Sequence, residues 1–290
     1  MATYPTYQAR ADSKRAKALA ATTSPFTIDV RFLGGLTSRQ RSAFTKAADR
    51  WTRLIVGDLP STRVDSETID DVLILAQGVA IDGPGRILGQ AGPTHIRPAS
   101  AGAAAFLPAK GIMSFDTADL AKMESAGTLN DVIAHEMGHV LGIGTLWDRK
   151  DLLKGAGGTN PTFAGSGAMR EYGMLRSSGR RRRVPVENTG GPGTRDGHWR
   201  ETVFRNELMS GFISSPGNPL SRVTVASLAD IGYQVDLEAA EAYGLPNLFA
   251  LAEAGSLIAH TAPLDDGVML PVIPIVLAAD SIRTTRRRNG

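Results

Sequence analysis

Residues 135 to 147 run His-Glu-Met-Gly-His-Val-Leu-Gly-Ile-Gly-Thr-Leu-Trp. Side chains four apart on an α-helix lie on one face about a turn apart, so His135 and His139 can direct two imidazoles at a single ion. Glu136 sits beside them, one residue round the helix. Neutral imidazole nitrogens suit Zn²⁺, and a catalytic zinc site keeps one coordination position for water. Glu136 is placed to take the proton of that water. The chain has only five histidines, so a chance His-Glu-x-x-His in register is a rare event.

The flanking residues predict the helix that this pair needs. Thr128 can cap its N-terminus, Asp131 suits the first turn, and Leu129, Val132, Ile133, Val140 and Leu141 supply an apolar face. Gly142 and Gly144 then stop it. Two histidines do not complete a catalytic zinc site, and His95, His198 and His260 remain as sources of a third ligand. A compact metalloprotease pattern has a histidine six residues after His139, but Thr145 stands there. His95, in Gly-Pro-Thr-His-Ile-Arg-Pro, reads as a loop residue, and His260 lies in a polar segment near the end. His198 is the leading candidate. It lies in Gly-Thr-Arg-Asp-Gly-His-Trp-Arg-Glu, followed by Asn206-Glu207-Leu208-Met209-Ser210-Gly211. Glu201 and Glu207 stay open as carboxylate alternatives.

Taken together, these segments resemble a leishmanolysin-type metzincin. In that family the glycine after His-Glu-x-x-His-x-x-Gly precedes a long insertion, the third histidine typically comes before Trp, and a Glu-Leu-Met segment forms a methionine turn beneath the metal. The resemblance runs from about Phe26 to about Val235. It implies one catalytic Zn²⁺ held by His135, His139 and His198, with Glu136 as general base, Gly142 at the turn and Met209 in the methionine turn. The better-known members carry many disulfides and a cysteine in the propeptide, whereas this chain has no cysteine. Neither a disulfide framework nor a cysteine switch can operate. The resemblance is therefore to a cysteine-free, bacterial-type member.

The elements that must position these residues can be read along the chain. Residues 1–25 alternate basic residues with alanine and read as a flexible tail without the apolar core of a signal peptide. Phe26 to Phe32 alternates as a half-buried strand, and Thr37 with Gln40 makes a capping-box signature. Phe44, Ala47, Ala48, Trp51, Leu54 and Ile55 then trace a helical stripe. Strands are expected at Asp71 to Ala76 and Gly111 to Asp116, with the glycine- and proline-rich stretch between Gly78 and Gly102 as loop. After Trp147 the chain turns irregular through the glycine-rich 155–168 region and the arginine run, and Ser221 to Tyr233 reads as a capped helix ending at a glycine. The alanine-rich segment 237–260 is expected to add a helix or two, and the last residues a tail.

The resemblance turns this order into an α+β, metzincin-like architecture. A twisted, mostly parallel sheet with two helices would lie above a zinc cleft, over an irregular, mainly helical lower part. The expected division is a tail at 1–25, an upper catalytic subdomain at 26–145, a lower subdomain with the insertion at 146–235, and a C-terminal helical segment and tail at 236–290.

Composition narrows the partners. A 290-residue chain with 42% hydrophobic residues can bury a substantial core. The formal charge of +3 is too small to argue for nucleic acid. Arg180 to Arg183 and Arg286 to Arg288 are not interleaved with aromatics and read as solvated loop and tail, with self-cleavage or an acidic partner as the alternatives. The apolar run from Val268 to Ala279 is too short to span a membrane and contains Pro271 and Pro274. The expected protein is a zinc-dependent endopeptidase acting on polypeptide, bound extended beside an edge strand of the upper sheet. A monomer is the expected state, and cytoplasmic location and non-classical export both stay open. The rival readings are a zinc-stabilised binding or adhesion module without turnover and a zinc hydrolase of a non-peptide amide.

Overall fold

The structure is a computed structural model that describes residues 3–191, 193–213, 215–247, 251, 253 and 268–283. The chain first lays down β1 (Thr6–Arg10), α1 (Ser13–Ala20), β2 (Thr27–Gly34) and α2 (Ser38–Thr52). The Thr37 capping box forms as the sequence predicts, with Gln40 N donating to Thr37 Oγ1 at 3.2 Å and Thr37 N to Gln40 Oε1 at 2.9 Å. Along α2, Phe44, Ala47, Ala48 and Trp51 are buried, which turns the predicted stripe into a packing face.

A hairpin of β3 (Thr62–Val64) and β4 (Glu67–Ile69) leads into β5 (Val72–Val79), β6 (Ile87–Ile96) and β7 (Pro108–Asp116). The central sheet runs β1-β2-β5-β7-β6. β2, β5 and β7 are parallel, while β1 runs antiparallel to β2 and β6 antiparallel to β7. A parallel strand is covered on both faces, and β5 accordingly reads Val-Leu-Ile-Leu-Ala with little polar interruption. Two helices follow, α3 (Thr117–Ala126) and α4 (Leu129–Val140), and α4 packs against α2, β6 and β7. The result is a mixed α+β fold with a mainly parallel central sheet.

The insertion is more ordered than its glycine content predicts. It holds a small antiparallel sheet of β8 (Leu153–Lys154), β9 (Thr162–Phe163) and β10 (Val184–Pro185), and a ten-residue helix, α5 (Ser166–Leu175). Asp230 accepts from Gly167 N and Ala168 N at 2.8 Å each, so a distant carboxylate caps α5 where the local sequence offers only glycine. α6 (Glu201–Phe204) and α7 (Arg222–Ile231) complete this part, and α5 packs on α7. Trp147, Phe163, Trp199 and Phe204 fill its interior, with the Trp147 and Trp199 rings stacked 4.6 Å apart.

Several expectations are corrected. Residues 6–20 are no tail: Ala9 is buried as β1 adds to β2, and Asp12 caps α1 by accepting from Lys14 N and Arg15 N. The stretch 78–102 is not all loop, because β6 lies inside it. Its glycines serve close approach: a Cβ on Gly89 would meet Ser114 O at 2.0 Å. Buried Arg97 fixes the end of β6 by donating to the carbonyls of Pro60, Asp70, Asp71 and Pro108. Thr128 occupies the cap position of α4, but its hydroxyl turns back to Met123 O.

Of the helix or two expected over 237–260, the described residues show one turn of 3-10 helix, Leu237–Ala239, and helical backbone at Leu251 and Glu253, with Leu251 N donating to Asn247 O at 3.0 Å. The expectation for 248–250, 252 and 254–260 lies outside the described residues, as does the tail at 284–290. Between them, β11 (Val268–Leu270) and β12 (Ile275–Val276) pair with the open side of β6, so the edge expected to be free for a peptide is covered. Among the described residues no helix is long and apolar enough to cross a membrane.

Candidate metal centre

Helix α4 presents His135 and His139 one turn apart, and its neighbours hold it closely. Trp51 of α2 donates its indole N–H to Ala134 O at 2.9 Å, one residue before the first histidine. A Cβ on Gly138 would lie 2.7 Å from Met209 Sδ and 2.9 Å from Trp51 Cζ2, so only glycine fits between the two histidines there. The helix ends as predicted, with Gly142 at φ 110° and Gly144 at φ 74°. Gly144 also permits contact with the segment carrying His198, since a Cβ there would stand 2.0 Å from Gly197 O. Thr145 ties this turn by donating its hydroxyl to His139 O at 2.8 Å.

The structure brings His135, His139 and His198 together. Their Nε2 atoms form a triangle with sides of 3.0, 3.0 and 2.9 Å. Each ring faces a backbone carbonyl through Nδ1: His135 to Leu208 O at 2.6 Å, His139 to Ile143 O at 2.9 Å and His198 to Thr194 O at 2.8 Å. A carbonyl accepts only, so each Nδ1 carries the proton and each Nε2 presents a lone pair. Three lone pairs converge with no hydrogen between them, an arrangement that fits a cation at their centre. Tetrahedral ligands at 2.0–2.1 Å from zinc lie about 3.3 Å apart, close to the spacing here. The carbonyl contacts are the outer hydrogen bonds that fix tautomer and ring orientation in metal-bound histidines.

All four site residues are more than nine-tenths buried. Burial pushes His135 down to about 3 and His139 to about 4, and lowers His198 well below the ordinary range. The imidazoles are therefore neutral at pH 7, the form that binds metal. Burial also pushes the Glu136 carboxyl up to about 8, a shift that a divalent cation beside it opposes. Among the described residues no group hydrogen-bonds the Glu136 carboxyl, which leaves it for a water or a substrate.

Met209 lies under α4, its sulfur against Gly138. Buried Glu207 sets that turn by accepting from Met209 N at 2.6 Å, Ser221 N at 3.0 Å, Ser221 Oγ at 2.8 Å and Thr224 Oγ1. Its role is thus to join the methionine turn to the start of α7, not to enter the triad. Trp199 follows His198 and donates Nε1–H to Thr224 Oγ1 at 2.8 Å. Tyr233, just past α7, donates its hydroxyl to Leu141 O at 3.0 Å. Sequence reasoning missed Trp51, Gly138 and Glu207 as supports. The available signal was Gly138 itself, since glycine inside a helix costs about 1 kcal/mol relative to alanine and needs a packing reason.

His95 stands on β6, outside the triad, with Nδ1 3.1 Å from Thr94 Oγ1. His260 lies outside the described residues. Asp58, Asp70 and Asp71 form another acidic group, but the Asp71 carboxylate is engaged by Thr27 and Leu59.

Three neutral imidazoles converge on one point of a mixed α+β frame and could hold a single metal ion. The profile described as leishmanolysin matches residues 103–248, half of the chain, and the protein belongs to that family of zinc metallopeptidases. The matched stretch contains all three histidines, Glu136, Gly142 and Met209. Comparison with curated proteins gives no match.

Proposed function

We propose that the protein is a zinc-dependent endopeptidase of the metzincin arrangement, with His135, His139 and His198 as ligands of one zinc ion and Glu136 as general base. The observation that carries this reading is the convergence of three Nε2 lone pairs beside a carboxyl that no described residue engages. In this reading residues 26–145 form the upper subdomain and 146–235 the lower, with the cleft between them.

Zinc held by His135, His139 and His198 would supply Lewis acidity toward the scissile carbonyl and the attacking water. Glu136 takes the proton of the attacking water and passes it to the leaving amine nitrogen, so one carboxyl serves first as base and then as acid. The three Nδ1–H donors to Leu208, Ile143 and Thr194 keep the rings from turning as charge changes. Gly142 turns the chain just past α4, and Met209 packs its sulfur against Gly138 between the two histidines. The substrate is a polypeptide bound extended along the outer side of β6, in place of β11 and β12, through main-chain hydrogen bonds.

The test is Glu136→Ala with metal analysis. The variant should retain one zinc per chain and lose turnover; near-normal cleavage by Glu136→Ala would remove Glu136 from the mechanism.

A further inference from the structure

The outer side of β6 carries a strand from far along the chain. In β11, Val268 pairs with Ile87, Met269 with Gly89 and Leu270 with Gln90; in β12, Ile275 pairs with His95 and Val276 with Ile96. Val268 N donates to Arg86 O at 2.6 Å and Leu277 N to Ile96 O at 2.9 Å, closing the two ends. Pro271 and Pro274 have no N–H to give, and between them Val272 seats over Gly92, where a Cβ would come within 2.9 Å of it. On its other side the segment reaches the third ligand's loop. Met269 O lies 3.1 Å from the position of a Cβ on Gly193, and the next residue, Thr194, is the one whose carbonyl holds His198 Nδ1. The segment therefore bridges β6 and the loop leading to His198.

This strand is held by its main chain more than by its side chains. Val268, Leu270, Ile273, Ile275 and Val276 all remain exposed, Ile273 at 88%. A core strand buries such residues, whereas a peptide added to a sheet edge relies on backbone hydrogen bonds and a few pockets. Here Met269, packed on the core, and Val272, over Gly92, are those contacts.

We propose that Val268–Val276 is a resident strand occupying the peptide-binding edge of the cleft, so that the full chain is latent until this strand is displaced. The proposal rests on the peptidase reading. It also defines what the edge accepts: an extended, apolar segment. Latency then comes from competition for β6, a device that needs no cysteine.

The test uses the full chain in two opposite variants. Val272→Asp puts a charge against Gly92 and should release the strand. With the strand docked in about nine of ten wild-type molecules, release raises kcat/KM on an unfolded polypeptide about tenfold. His95→Cys with Ile275→Cys, in a chain without other thiols, should form a disulfide between register partners. The oxidised protein should be inactive and regain activity on reduction. Hydrogen exchange of the β6 amides reports docking independently of activity, with faster exchange in Val272→Asp and slower exchange in the oxidised pair. Equal cleavage by oxidised and reduced protein overturns the latency while leaving the peptidase intact. Zinc-loaded Val272→Asp with freely exchanging β6 amides and no cleavage overturns the peptidase reading, and the latency with it.

Discussion

Gly138 sits between the sulfur of Met209 and the ring of Trp51, with room for a hydrogen and nothing larger. The glycine lies between the two histidines of α4, so pressure there is transmitted to both. Gly138→Ala should cost about 1–3 kcal/mol of stability as the neighbours are forced apart, and should weaken zinc binding. Thermal unfolding and a chelator-competition titration check this. A variant of unchanged stability and zinc affinity would show that the approach is not constrained.

Glu207 accepts four hydrogen bonds in a fully buried position, and all four donors belong to the methionine turn and the start of α7. Glu207→Ala leaves those donors without a partner, at a cost on the order of 3 kcal/mol or more. Denaturant unfolding should show the loss, together with a weaker zinc site, because Leu208 O holds His135. Unchanged unfolding would mean that water replaces the carboxylate freely.

Asp71 gives the fold a pH dependence. Burial pushes its carboxyl from 3.8 to about 7, against hydrogen bonds from Leu59 and Thr27 that act the other way. A folded value above the unfolded one means stability that is complete below about pH 4 and is lost as pH rises through 7. The drop over that window is on the order of 1–4 kcal/mol, and Asp71→Asn should flatten it. Parallel stability curves for the two proteins from pH 4 to 7 would contradict this assignment.

His198 supplies a third of the donor set from a separate part of the chain. His198→Ala should lose most of the zinc while the fold persists, which metal analysis and circular dichroism check together. Full retention of metal would return the third ligand to a carboxylate.

Much of this site was legible in the sequence because its determinants are local. The spacing of His135 and His139, the capping of α2 by Thr37 and Gln40, and the stop at Gly142 are each set by residues within a turn or two. Partners that meet only in three dimensions were not legible. Asp230 capping α5, Glu207 accepting from the start of α7, and Arg97 donating to the carbonyls of Pro60, Asp70 and Asp71 each join segments distant in sequence. β6 was missed for a related reason: Gly89 and Gly92 weaken strand propensity, but they are what lets Ser114 and Val272 come close. The return of the C-terminal segment to the same strand leaves no local signal beyond an apolar run broken by two prolines.

The central claim is a zinc peptidase that uses Glu136. The most direct measurement is cleavage of an unfolded polypeptide at neutral pH by zinc-loaded protein, wild type and Val272→Asp, with chelator-treated samples and Glu136→Ala in both backgrounds. The account predicts cleavage that is greater in Val272→Asp, disappears with chelator, returns with zinc and is absent in Glu136→Ala. Cleavage that survives in Glu136→Ala, or none from either zinc-loaded protein, would contradict it.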